Sequence, residues 1–251
     1  MGKIIAVSGK GGTGKTSVSA SLINYIAENN NKSILAIDAD PDTNLPQSLG
    51  ENIKKTIGDI REELQKERDK LAATTDKQRL LEYKVMGILH EGEKIDLLAM
   101  GRPEGPDCYC WVNHQLRLIV DTFSKNYDIC IIDAEAGLEH LSRRTIRDVD
   151  TMLIVTDATK KGLDTAKRIK DLAESLQIKF KDFFVVANKV KEGDEEKIEK
   201  LASDLGLIIV GMIPFDKNVS ESDLEGKPIV ELPKDSPFLQ AIDQIAAKLE
   251  L

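Results

Sequence analysis

The sequence contains no run of the roughly 18 uncharged apolar residues that a bilayer-spanning helix requires, no internal repeat and no low-complexity tract. A glycine-rich motif begins at Gly9, which leaves no room before it for a signal peptide, and the protein is expected to work in the cytoplasm. Cysteine is scarce as well. Three residues make an odd number too small for a disulfide framework, so a clustered pair among them reads as a redox or metal site. Positive charge is in deficit: 35 Lys and Arg against 43 Asp and Glu leave a net charge of -8. That balance disfavours a sequence-independent grip on nucleic acid or on an anionic membrane, both of which need clustered cations. What is present, 251 residues with 41% apolar and 31% charged side chains, suits one globular domain able to bury its own core.

Short apolar runs recur at Lys3-Ser8, Ser33-Ile37, Ile95-Met100, Asp128-Ile132, Thr151-Thr156, Phe183-Ala187 and Leu207-Met212. Amphipathic helical spacing falls between them, at about Lys15-Glu28, Trp111-Ser124, Leu163-Ser175, Glu195-Leu205 and Pro237-Leu249. This alternation predicts an α/β fold, a single domain over 1-251 with a mostly parallel sheet of about seven or eight strands and helices on both faces. A charge-rich stretch, about 54-92, breaks the rhythm. Its apolar residues Ile57, Ile60, Leu64, Leu71, Leu80 and Leu81 keep roughly helical spacing, and it is expected to be a helical insertion capping the sheet.

Residues Gly9, Lys10, Gly11, Gly12, Thr13, Gly14, Lys15 and Thr16 match G-x-x-x-x-G-K-[ST] between an apolar strand and a helix, the context that gives that pattern its meaning. Three of the four glycines can take backbone angles closed to other residues, so that successive amides point at one anion. The loop, continued by Ser17, runs into a helix N-terminus, where unpaired amides favour phosphate oxygens. Lys15 is expected at the β- and γ-phosphates and Thr16 at magnesium.

Two aspartate-bearing strand ends accompany the loop. Ile37-Asp38-Ala39-Asp40-Pro41-Asp42 ends the second apolar run, and Ile129-Cys130-Ile131-Ile132 runs into Asp133 and then Ala134-Glu135-Ala136-Gly137. An apolar run ending in Asp matches the strand that faces magnesium through its water shell, a place expected for Asp133 and also for Asp38. Asp42 reads as solvated or capping, and Cys130, inside an apolar run, as core. For the base, Asn188-Lys189-Val190-Lys191 lacks the final carboxylate that would accept the two donors of a guanine edge. Asn188 suits adenine, and Pro214 and Phe215 can form an apolar shelf with Asp216 as a neighbouring polar contact. ATP is therefore expected rather than GTP.

Gly105-Pro106-Asp107-Cys108-Tyr109-Cys110-Trp111 holds a C-x-C in a predicted loop. Two thiolates at i and i+2 can bind one soft or borderline metal, but they fill only half of a tetrahedral or square-planar shell. A two-fold dimer would bring four together. Asp107 and His114 are nearby alternatives within one chain, although a lone His is more often structural.

The run GKGGTGKT, with its second lysine Lys10, resembles the deviant phosphate loop of dimeric P-loop ATPases in the Min, partition, nitrogenase iron-protein and metal-maturation families. Together with DADPD, DCYCWVN and DAEAGLEHLSR, it is similar across the whole chain to the CooC-type nickel-insertion ATPases that mature carbon monoxide dehydrogenase and its acetyl-CoA synthase relatives. The resemblance implies a homodimer in which Lys10 reaches the partner's nucleotide, Asp38 and Asp40 orient the attacking water and sense the γ-phosphate, and Cys108 and Cys110 of both chains hold a nickel or zinc ion. It assigns no role to His140 or Arg143. An iron-sulfur scaffold ATPase is the alternative, since four thiolates at a dimer axis also suit a cluster. A nitrogenase-type reductase is disfavoured because Ala134-Gly137 contains no cysteine. A membrane-recruited ATPase would need a basic amphipathic C-terminal helix. The stripe Phe238, Leu239, Ile242, Ile245 and Leu249 is instead accompanied by Asp235, Asp243 and Glu250 and is expected to dock on the domain.

Overall fold

The computed structural model describes residues 2–67, 77–102, 122–135 and 149–251. In chain order its elements are β1 (Lys3–Gly9), α1 (Lys15–Asn29), β2 (Ile34–Ala39), α2 (Leu45–Leu49), α3 (Ile57–Glu67), α4 (Lys77–Met86), β3 (His90–Glu91) and β4 (Ile95–Ala99), followed by β5 (Ile129–Ala134), β6 (Val149–Asp157), α5 (Lys160–Ser175), β7 (Phe180–Val190), α6 (Glu195–Asp204), β8 (Ile209–Pro214), α7 (Lys217–Glu225) and α8 (Pro237–Lys248). The eight strands form one sheet in the order β3-β4-β2-β5-β1-β6-β7-β8. All neighbours run parallel except the short edge strand β3, which pairs antiparallel with β4.

The central strands read as unbroken apolar runs because both of their faces are covered, as parallel sheets require. Successive side chains take opposite faces. Ile5, Val7, Ile131, Leu153 and Val155 pack with α1 and α8, whereas Ala6, Ile132, Met152 and Ile154 pack on the other side with α5 and with Ile57 and Ile60 of α3. Full burial of each Ile or Leu contributes roughly 1.5–3 kcal/mol. Phe238, Ile242 and Ile245 of α8 are buried in the first of these layers, so the C-terminal stripe docks on the domain as its composition suggests. Cys130 is fully buried, and burial pushes its thiol up to about 12, so it behaves as a small core residue.

The seven apolar runs of the sequence all become strands; the added eighth, β3, is two residues long and carries no periodicity to read. The expected helix Trp111-Ser124 lies mainly outside the described residues. In the charge-rich stretch Ile57 and Ile60 are buried and Leu64 packs in part against the same core layer, while Leu71 lies outside the described residues.

The chain leaves β1 through α1, skips a position to reach β2, returns to place β5 between them, and then adds β6 on the far side of β1. The strand order therefore reverses at β1. Crevices at such a switch point, beyond the carboxyl ends of the strands, are where open α/β sheets bind ligands. The register pairs Val7 with Asp133 and Asp38 with Asp133, which brings the phosphate loop and both aspartate-bearing strand ends to this crevice.

Candidate nucleotide site

Gly9, Gly12 and Gly14 have φ of 148°, 76° and 88°, the left-handed region that side chains avoid. At Gly9 a Cβ would lie 2.1 Å from the Val155 carbonyl oxygen, and at Gly14 one would lie 2.5 Å from the Asn188 side-chain nitrogen. The loop thus closes tightly against β6 and β7 before entering α1. Inside it, the Thr13 hydroxyl donates to the Lys10 carbonyl at 2.8 Å, and Lys15, almost fully buried, directs its ammonium at the same carbonyl at 3.4 Å.

Asp133 is 1% exposed and accepts hydrogen bonds from the hydroxyls of Thr16 at 2.7 Å and Ser19 at 2.9 Å. Those hydroxyls are three residues apart on α1 and so share one helical face. Sequence reading missed Ser19, although this spacing would have found it. Asp38 is completely buried and accepts from the backbone N–H groups of Asp40 at 3.0 Å and Leu45 at 2.9 Å. Asp40 lines the cavity, and its carboxylate accepts from the Asp42 N–H at 2.9 Å; Asp42 is exposed.

Burial pushes the Asp38 carboxyl up to about 7, with the Asp133 charge adding to the rise and the two backbone N–H groups opposing it. Burial also lifts Asp133 to about 6, against the pull of the Thr16 and Ser19 hydroxyls and of Lys15. A hydroxyl and two buried carboxylates short of positive charge make an all-oxygen donor set that suits magnesium. Both values exceed the roughly 3.9 of a free Asp. Between about pH 4 and pH 7 the folded state therefore binds more protons than the unfolded one, and the stability of the nucleotide-free protein falls as pH rises through that window. If magnesium faces these carboxylates, Mg-ADP binding calls for their ionised forms, and its stabilising effect then grows over the same window. The thermal shift it produces is expected to be larger at about pH 8 than at about pH 5.5; equal shifts would mean that these carboxylates do not face the metal.

A cavity of about 460 Å³ opens from the loop. Gly11, Gly12, Gly14, Lys15, Thr16 and Ser17 form its phosphate end, with Asp40 and Glu135 beside them. Asn188, Pro214, Phe215 and Asp216 line the part reached from β7 and β8. Phe215 is 60% exposed, an apolar surface that no packing covers. Asn188 is buried and its amide is already engaged, donating to the Thr13 carbonyl at 2.8 Å and accepting the Lys189 N–H at 2.8 Å. It ties the phosphate loop to β7 in addition to facing the cavity. Asp216 is likewise a structural anchor: it caps α7 by accepting the Asn218 N–H at 2.8 Å and accepts the Ser236 hydroxyl at 2.5 Å.

The structure also brings in residues that the sequence reading did not single out. Lys189 lines the cavity and approaches the Gly12 carbonyl at 3.4 Å. Helix α7 contributes Val219, Ser220 and Asp223, and its limits were legible in the Asp216 cap and in Gly226, whose φ is 67°. Lys10 is exposed and does not line the cavity of its own chain. Cys108, Cys110, His114, Gly137, His140 and Arg143 lie outside the described residues, and among the described residues no cluster of three or more His, Cys, Asp or Glu could hold a metal.

A phosphate loop at the switch point, flanked by aspartates on adjoining strand ends, defines a P-loop nucleotide-binding ATPase. Residues 4–229 match the CobQ/CobB/MinD/ParA nucleotide-binding domain, and the chain belongs to that family, whose MinD/ParA-type members are ATPases. An uncharacterized ATP-binding protein of Methanocaldococcus jannaschii is 52% identical over 248 residues, covering 98% of each chain. The carbon monoxide dehydrogenase accessory protein CooC of Rhodospirillum rubrum is 32% identical over 245 residues, covering 91% of this chain and 89% of that one. Among solved structures, the septum site-determining protein MinD of Pyrococcus horikoshii, complexed with Mg-ADP, shares the fold with a TM-score of 0.72 at 22% identity, covering 100% of this chain and 96% of that one. Among the described residues no helix is long and apolar enough to cross a membrane.

Proposed function

We propose that this protein is an ATP-driven homodimeric maturation factor that carries a nickel or zinc ion on Cys108 and Cys110 and assists nickel insertion into carbon monoxide dehydrogenase or acetyl-CoA synthase. The observation that carries the reading is the combination, in one chain, of a second loop lysine with a C-x-C pair. Lys10 is exposed and does not line the cavity of its own chain, as is expected of a cation that serves a second copy's nucleotide. The Cys pair supplies half of a four-thiolate site, and two-fold symmetry supplies the other half. The similarity to CooC at 32% identity supports the client assignment.

In this reading ATP lies along Gly9–Thr16, with Lys15 on the β- and γ-phosphates and the base on the Pro214-Phe215 shelf beside Asn188. Thr16, with Asp38 and Asp133 beside it, would hold magnesium, which would supply charge neutralisation at the phosphates. Asp38 and Asp40 hold the attacking water, and Lys10 of the second copy stabilises the charge that develops on the transferred group. The chain that leads toward the C-x-C leaves the neighbouring strand β4: the Met100 N–H donates to the Asp38 carbonyl at 2.8 Å, and the Met100 carbonyl accepts from Gly58 of α3 at 2.9 Å. Nucleotide-dependent movement at Asp38 would be passed by this backbone bond to Met100.

Metal analysis of the anaerobically purified protein tests the cargo. The expected result is about one nickel or zinc ion per two chains, with no acid-labile sulfide. Stoichiometric iron and sulfide with visible absorption would instead make the protein an iron-sulfur scaffold.

A further inference from the structure

Ser19 holds a place where an apolar side chain would be expected. It is fully buried on α1, in a run with Val18, Ala20, Leu22 and Ile23. Alanine suits a helix better and hides no polar group, so a hydroxyl at this position costs stability unless it is bonded. A helical serine commonly returns its hydroxyl to the carbonyl four residues back. Ser19 instead donates its single proton across to Asp133 Oδ1 on β5, at 2.9 Å. Such engagement is not general on α1: Ser21, 3% exposed, has no hydrogen-bond partner for its hydroxyl among the described residues.

The other oxygen of Asp133 accepts from the Thr16 hydroxyl at 2.7 Å. Asp133 is 1% exposed and is not among the described residues that line the cavity, whereas Thr16 lines it. Asp133 thus meets the cavity through Thr16. A hydroxyl has one proton and two lone pairs. With the proton given to Asp133, Thr16 keeps its lone pairs for a cation in the cavity. That arrangement lasts only while the carboxylate keeps its own orientation. The terminal torsion of an aspartate is broad, and among the described residues Ser19 is the hydrogen-bond partner that holds Oδ1. We propose that Ser19 is a positioning residue for the metal: by locking the Asp133 carboxylate it fixes the Thr16 hydroxyl, and so raises affinity for the magnesium complex of the nucleotide without raising it for the metal-free nucleotide. The proposal rests on the reading of Thr16 and Asp133 as the magnesium side of the site.

Calorimetric titration of the full chain with ADP, once in excess magnesium and once in EDTA, tests it. Magnesium is expected to tighten ADP in the wild type. Ser19→Ala removes one oxygen and improves helix propensity, so the fold is retained. It should weaken Mg-ADP by about tenfold, the low end of what partners behind a metal ligand are worth, while metal-free ADP stays within about twofold of wild type. Ser21→Ala, which removes an unpartnered buried hydroxyl from the same helix, should leave both affinities within about twofold. Wild-type Mg-ADP affinity in Ser19→Ala would overturn the proposal. Equal weakening of ADP with and without magnesium would overturn it too, since the hydroxyl would then support only the loop, as would a loss in Ser21→Ala as large as that in Ser19→Ala. A wild type indifferent to magnesium would overturn the magnesium reading itself, a result visible before any variant is made.

Discussion

Lys15→Ala abolishes ATP turnover and weakens nucleotide binding, with turnover expected to fall by at least about 100-fold. The size follows from the position of the side chain. Lys15 is 7% exposed, lies in a loop whose glycines hold three positive φ angles, and directs its ammonium across that loop toward the Lys10 carbonyl. A largely buried cation at the proposed phosphate position is worth more than one in solvent, and little of its reorganisation remains to be done when the nucleotide arrives. Lys15 also lowers the Asp133 pKa, so its loss should raise the protonation of that carboxyl and weaken magnesium support as well. Steady-state turnover together with Mg-ADP titration checks both effects; a variant that keeps wild-type turnover would remove the loop from the mechanism.

Lys10→Ala is expected to behave differently although it lies in the same loop. Its side chain is exposed and does not line the cavity of its own chain, so affinity for Mg-ADP should stay within about threefold of wild type. Turnover should nevertheless drop by about 1,000-fold, the scale on which a cation supplied in trans acts on phosphoryl transfer. Association driven by ATP should be lost as well. If Lys10→Ala instead weakens ADP in step with turnover, the lysine works within its own subunit.

Much of this architecture was legible because the physics behind it is local. Apolar runs such as Ile129-Ile132 can only be central strands of a covered sheet, and a glycine loop between such a strand and a helix has one common use. Asp38 and Asp133 were identifiable because each ends an apolar run, yet that they face each other in register and share a deficit of positive charge depends on β5 inserting between β2 and β1, which no local pattern encodes. The roles of Asn188 and Asp216 were only half readable. Their polar side chains signal a ligand and an anchor equally well, and only the packing shows that Asn188 holds Thr13 while Asp216 caps α7. Helix α7 escaped notice because it buries no residue fully, only Val219 packing in part on the core, and so lacks the apolar stripe by which amphipathic helices are recognised.

The central claim is that ATP and the cargo metal act through one dimer. Because linkage is reciprocal, a metal site completed only in the dimer must tighten ATP-driven association by the same factor by which ATP tightens metal binding. Sedimentation of the wild type and of the Cys108→Ala/Cys110→Ala variant with ATP, with and without Ni(II) or Zn(II), measures this directly. The account predicts that metal shifts the wild type toward dimer and leaves the double variant unmoved; a wild-type monomer-dimer equilibrium indifferent to metal would contradict it.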